Sequence, residues 1–257
     1  MLSGTFLALL ALPGARAEER DPIGLSLDLG VASAYVWRGL NVFADSGQRD
    51  PNLLLAPSVA WSIGESGVSL GYWGAYQLTG PNRAALVDAG LGAEQDLWVG
   101  YDRALSGKLA ASFLLTGYLY PLADEAAAGT AFPTYLEPAA GLGWVGPVTA
   151  SVSVGYFHGL QPTLAGSRNV YLHPALSWGH ALGEEVGLTV DAGFGYKLFT
   201  QAEVTTNTLD VSLALGLPLT FGAVHVNPAL NLAWTNLGGA FADGLVPWGG
   251  LNVGAEI

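Results

Sequence analysis

From Ile23 onward the chain is written with a period of two. Ile23, Leu25, Leu27, Leu29 and Val31 alternate with Gly24, Ser26, Asp28 and Gly30. Val148, Ala150, Val152, Val154 and Tyr156 alternate with Thr149, Ser151, Ser153, Gly155 and Phe157. Leu209, Val211, Leu213 and Leu215 alternate with Asp210, Ser212, Ala214 and Gly216. Successive side chains of an extended strand point to opposite faces, so this rhythm means strands with one apolar face and one small or polar face. Segments of about ten such residues, separated by turn-rich linkers, are the pattern of a transmembrane β-barrel. The wall of such a barrel is scaffold, which moves the search for function to the lumen and the loops.

Composition agrees. The 257 residues are 51% hydrophobic and only 12% charged, against about 25% charged in soluble domains. No run of about 18 apolar residues follows the N-terminus, which argues against helical spans. A soluble β-sandwich would also alternate, but its outer face would be charged. The net charge of −12 argues against a nucleic-acid partner, which needs a basic face to offset phosphates. There is no cysteine, hence neither a disulfide framework nor a thiolate site. Residues 1–17 read as a secretory signal, with an apolar core from Phe6 to Leu12 and Ala15-Arg16-Ala17 as the small-x-small cleavage site. Residues 18–257 are then a single barrel domain.

About twelve strands are expected, at 23–36, 52–62, 68–78, 94–103, 108–120, 135–145, 148–158, 170–179, 187–198, 208–217, 223–235 and 248–257. Tight turns such as Gly64-Glu65-Ser66-Gly67, Ala104-Leu105-Ser106-Gly107 and Val145-Gly146-Pro147 alternate with longer, more polar loops at 37–51, 79–93, 121–134, 159–169, 199–207 and 236–247. This is the alternation of an antiparallel up-and-down barrel with periplasmic turns and extracellular loops. Two aromatic belts fit the same frame. Tyr35, Tyr76, Tyr156, Tyr196 and Trp234 fall on the lipid face near the loop end, and Trp61, Tyr101, Trp144 and Trp178 near the turn end. Pro57, Pro138, Pro174 and Pro228 lie inside strands. Proline has no N–H to give a ladder, so each must occupy a bulge or a broken pairing.

The register sends the strand acids inward. Asp28, Asp96, Asp102, Glu137, Asp191, Asp210 and Glu256 fall on the lumen face, opposed by Lys108 and Lys197. A slip of one residue would move these charges into hydrocarbon. Seven carboxylates against two lysines would favour cations in the lumen; taken singly, each acid is as well read as solvated or bonded to hydroxyls. Trp73, Trp98, Tyr118, Tyr120, Tyr135, Phe157 and Tyr171 share that face and would narrow the bore, as a constriction, a pocket or simple packing. Small residues there, among them Gly24, Gly30, Gly71, Gly193 and Gly195, leave room in the lumen. Arg38 and Arg49 enter the first long loop, where pairing with Asp45 and Asp50 is the expected state, ahead of contact with lipopolysaccharide phosphates.

Enzymatic readings find little support. His173 and Ser177 share a strand face, but four residues along a strand span about 13 Å, and a nucleophile must touch its base. No tight His/Asp cluster suggests a metal, and the glycine-rich stretches lack the strand–turn–helix setting of a phosphate loop. No enzyme activity, cofactor or metal is expected.

Ser33-Ala34-Tyr35-Val36-Trp37-Arg38-Gly39-Leu40 resembles the opening of the TorF-type porin family, whose members begin with a Ser-x-Tyr-Val-aromatic-Arg-Gly stretch. The resemblance implies a Gram-negative outer-membrane barrel in contact with outer-membrane lipid and a channel role. The expectation is a porin-like channel for passive diffusion of small solutes, cation-preferring. The alternative is a closed barrel acting as a structural or ligand-binding surface protein through its loops.

Overall fold

The computed structural model describes residues 23–42, 52–79, 94–120, 135–160, 168–201, 204–236 and 244–257. The signal segment 1–17 lies outside them, as do Asp45, Arg49 and Asp50. Twelve strands form the wall: β1 (Ile23–Ala32), β4 (Leu53–Ile63), β5 (Val68–Thr79), β6 (Glu94–Ala104), β7 (Leu109–Leu119), β8 (Tyr135–Trp144), β9 (Thr149–Gly159), β10 (Arg168–Ala181), β11 (Gly187–Gln201), β12 (Val204–Gly216), β14 (Val224–Thr235) and β15 (Gly244–Glu256). Two short strands, β2 (Val36–Trp37) and β3 (Leu40–Asn41), pair only with each other, and β13 (Leu219–Phe221) continues β12 beyond Pro218.

Every wall strand is antiparallel to its neighbours, and the ring closes where β1 pairs with β15 and β12 with β14. Closure leaves no edge to template association. The large apolar side chains that remain exposed are outward ones, such as Leu97, Phe113, Leu142, Val154, Leu176 and Leu213. The side chains between them point inward: Asp96, Ser112, Glu137, Ser153 and Asp210 are all buried. Alternation read locally therefore assigned inside and outside correctly. Trp61, Trp144, Trp178, Tyr156 and Trp234 stand exposed on the outer face, as amphipathic rings at an interface should.

The prolines are accommodated by one-sided breaks. Pro57 keeps its pairing with Leu29, but the ladder to β5 skips from Leu55 to Ser58. Pro138 pairs with Leu115, and the β8–β9 ladder skips from Leu136 to Ala139. Pro174 pairs with Val152, and the β10–β11 ladder skips from Leu172 to Ala175. Pro228 faces the interruption between β12 and β13. Each missing N–H thus falls on the side where the ladder is interrupted.

Three expectations are corrected. The first strand does not run to residue 36: it ends at Ala32, and Tyr35 is buried at 4% exposure inside the barrel rather than on the lipid face. The segment 199–207 is largely strand, because β11 and β12 extend toward each other to Gln201 and Val204. The last wall strand begins at Gly244, including Pro247, which pairs with Leu232 at a level β1 no longer reaches.

Candidate functional site

What occupies the loop-side part of the lumen is the segment Ser33–Val42, which follows β1. Val36-Trp37-Arg38-Gly39-Leu40-Asn41 forms a hairpin with Val36 opposite Asn41 and Trp37 opposite Leu40. Its two-residue turn has positive φ at both positions, 50° at Arg38 and 78° at Gly39, the conformation whose twist suits a tight hairpin. Glycine takes that conformation freely; arginine does so at a cost of about 1–2 kcal/mol. A side chain at residue 39 would also meet the Cβ of Asp210 at 2.6 Å, so the turn lies directly against β12. The base is fixed by Ser33 N–H to the Gly249 carbonyl (2.9 Å), Gly249 N–H to Ser33 Oγ (3.0 Å) and Asn52 Nδ2 to Asn41 Oδ1 (3.1 Å).

The hairpin crosses the bore. It leaves from β1 and β4, and β10 stands six places round the ring from β4. At its tip the Arg38 guanidinium pairs with Glu137 of β8 and donates to Asn169 Oδ1 of β10 at 3.4 Å. The guanidinium lies over the Tyr171 ring at 4.2 Å and over Trp37 at 4.3 Å, a planar cation held between two aromatic faces. Glu137 is 2% exposed, and its second oxygen accepts from the Tyr118 hydroxyl at 2.7 Å. Tyr171 donates to Asp210 at 3.0 Å. Trp37 packs on Phe157 at 5.7 Å, and Phe157 stacks on Tyr135 at 4.6 Å. Nearer the base, the Tyr35 hydroxyl donates to Glu94 at 2.8 Å, and Glu94 also accepts from Tyr120 at 3.3 Å. Ala34, Tyr35 and Val36 join Leu54, Ala75, Ala233 and Trp248 in a buried apolar cluster.

Loop-internal pairing of Arg38 is therefore overturned. Its side chain is 7% exposed, which also removes it from contact with lipid phosphates. The reason is long-range: a carboxylate preformed on the opposite wall offers a bidentate-capable cation a drier partner than any loop acid.

Between the hairpin and the turn end lies a cavity of about 660 Å³. Asp28, Asp96, Glu256, Trp73, Trp98 and Tyr118, all expected in the lumen, line it, together with Glu94, Tyr35 and Trp37. Near its mouth Asp28 accepts from Asn252 Nδ2 at 2.8 Å and from Ser26 Oγ at 3.1 Å, and pairs with His225 Nε2 at 2.8 Å. The serine thus bonds the acid and not the imidazole, the wrong order for an activated nucleophile. His173 stacks on Tyr171 at 5.7 Å. Among the described residues no three His, Cys, Asp or Glu are gathered to hold a metal.

Glu137 and Asp210 contact the hairpin rather than the cavity, and Lys197 sits beside Tyr171 in the β10–β11 ladder. Asp102 and Asp191 lie toward the turn ends of their strands and are not among the residues lining the cavity. Reasoning from sequence missed the infolded hairpin, Glu94, His225, Asn227, Asn231 and Asn252. One signal was available: Val36, Trp37, Leu40 and Val42 are too apolar for a loop left in water, and they flank an Arg-Gly turn.

A family model described as a bacterial protein of unknown function, Gcw_chp, matches residues 16–239. No curated protein sequence matches the chain. Among solved structures, a NanC porin superposes with a TM-score of 0.52 at 8% identity, covering 90% of this chain and 97% of that one. LpxR from Salmonella typhimurium gives 0.50 at 11% identity, covering 90% and 99%. A bacterial polysaccharide outer-membrane secretin gives 0.50 at 11%, covering 91% and 98%. At these identities the likeness is one of fold: this chain has the closed barrel of outer-membrane proteins.

Proposed function

The chain belongs to the Gcw_chp family of bacterial proteins, and we propose that it is an outer-membrane channel narrowed by its own first loop. The observation that carries this reading is the pairing of an apolar exterior with a polar, acid-lined cavity inside a closed ring. An interior of eight strands is filled by side chains; twelve enclose more space, and here the hairpin occupies the loop-side part of it. Small solutes would pass beside the hairpin by diffusion, and the carboxylates would raise the local concentration of cations. The stretch resembling TorF-type porins is the hairpin itself, so in this reading the shared motif is the constriction.

Planar-bilayer recording tests the proposal. Wild-type protein is expected to show small, salt-dependent conductance steps, with a reversal potential on the cation side in a KCl gradient. A second reading, a closed barrel serving as a binding or surface protein, is favoured by the Arg38–Glu137 contact across the bore. Its signature would be silence of the wild type at every salt, with conductance appearing only when the hairpin is excised.

A further inference from the structure

Unpartnered acceptors gather around the turn-side cavity. Asp96 is 2% exposed, and its Oδ1 has no hydrogen-bond partner among the described residues. Asn231, 7% exposed, and Asn227 leave their Oδ1 atoms unpartnered in the same way. All three line the cavity, with Asp28, Glu94 and Glu256, and no lysine or arginine among the described residues lines it. A buried acceptor without a donor is costly, and more so when charged. An arrangement of this kind is completed by a ligand that brings donors and positive charge.

The aromatic wall narrows the class. Trp98 is two residues from Asp96 on the same face of β6, and Trp73 of β5 is the register partner of Asp96. A Cβ at Gly71 would meet the Trp98 indole nitrogen at 2.6 Å. The indole therefore packs over the glycine of the neighbouring strand, and Trp98 and Trp73 both line the cavity, where each can offer an aromatic face. Such a face attracts a cation and packs against methylenes. An inorganic ion would use only the first of these. A neutral polyol would stack there and satisfy the amides, but would leave the Asp96 carboxylate without a counter-charge.

We propose that this chamber binds a small aliphatic amine in its ammonium form, with Asp96 receiving the N–H donors and Trp73 and Trp98 packing against the chain. The idea rests on the channel reading for its physiological sense, since the chamber would be the solute's path, but binding is measurable without conduction.

The test is calorimetric titration of the full chain, folded in detergent micelles at low salt, with 1,5-diaminopentane. Saturable binding is expected. Asp96→Asn should weaken it at least tenfold, while Glu184→Gln, which removes one charge from an exposed turn, should leave it unchanged. The uncharged 1,5-pentanediol and the donorless tetramethylammonium should each bind at least tenfold more weakly. Equal binding of diol and diamine overturns the proposal, as does unchanged affinity in Asp96→Asn. Should Asp96→Asn not fold, Trp98→Leu replaces it, with a several-fold loss expected and no loss counting against the idea. Absence of diamine binding to protein that conducts in bilayers defeats this inference alone. Specific binding to protein that never conducts upholds it and defeats the channel.

Discussion

At the loop end of the lumen Arg38 meets Glu137, Tyr118 meets Glu137 and Tyr35 meets Glu94, so each of these buried charges has a partner. Below it Asp28, Asp96 and Glu256 face a cavity that no lysine or arginine among the described residues lines. The two regions share the same strands and the same inward faces, yet one is a lock and the other a vessel. The difference comes from a single cation carried across the bore on a hairpin. Where it arrives, acids become structural; where it does not, Asp96 and Glu256 keep a field directed at whatever enters.

The lock is the easier half to break. Glu137→Ala leaves the Arg38 guanidinium buried without its partner, a defect of about 3–5 kcal/mol. Amide exchange across residues 36–41 should accelerate by about two orders of magnitude or more, and bilayer conductance should rise; unchanged exchange would show that the apolar cluster alone holds the hairpin. Gly39→Ala acts on the same element with less force. Its positive φ costs about 1–2 kcal/mol with a side chain, and the new Cβ crowds Asp210, so exchange should quicken about tenfold.

The vessel answers to milder treatment. Raising salt from 0.1 to 1 M shortens the screening length from about 10 to about 3 Å. Cation preference, read as reversal potential, should fall, while exchange protection of the hairpin stays constant because its ion pair is dry. A parallel loss of both would erase the distinction between the two ends. Smallest is Glu256→Gln at the exposed mouth. Thermal stability should stay within about 0.5 kcal/mol of wild type, with only a slight shift in reversal potential.

Much of the wall was legible because it is local. Leu213 beside Asp210 and Ser212, or Val152 beside Ser151 and Ser153, declares its face within a few residues, and membrane and lumen penalise the wrong choice heavily. Pro57, Pro138, Pro174 and Pro228 announced breaks for the same reason, since a missing N–H is a property of the residue itself. Pro247 escaped notice because its strand was expected to begin one residue later. The site was legible only in part. Asp28, Asp96, Trp73 and Trp98 were assigned inward by alternation, but nothing in a period of two tells which inward acid will be neutralised.

The amino-acid sequence by itself determined an antiparallel barrel of about twelve strands, its inside and outside, and the sign of its lining, because pattern and burial act over neighbouring residues. Tertiary structure alone decided that Ser33–Val42 folds into the bore. Arg38 finds Glu137 at a separation of 99 residues and Asn169 at 131. Such contacts exist only once the ring has closed and set a carboxylate, an amide and a phenol across the lumen from the hairpin.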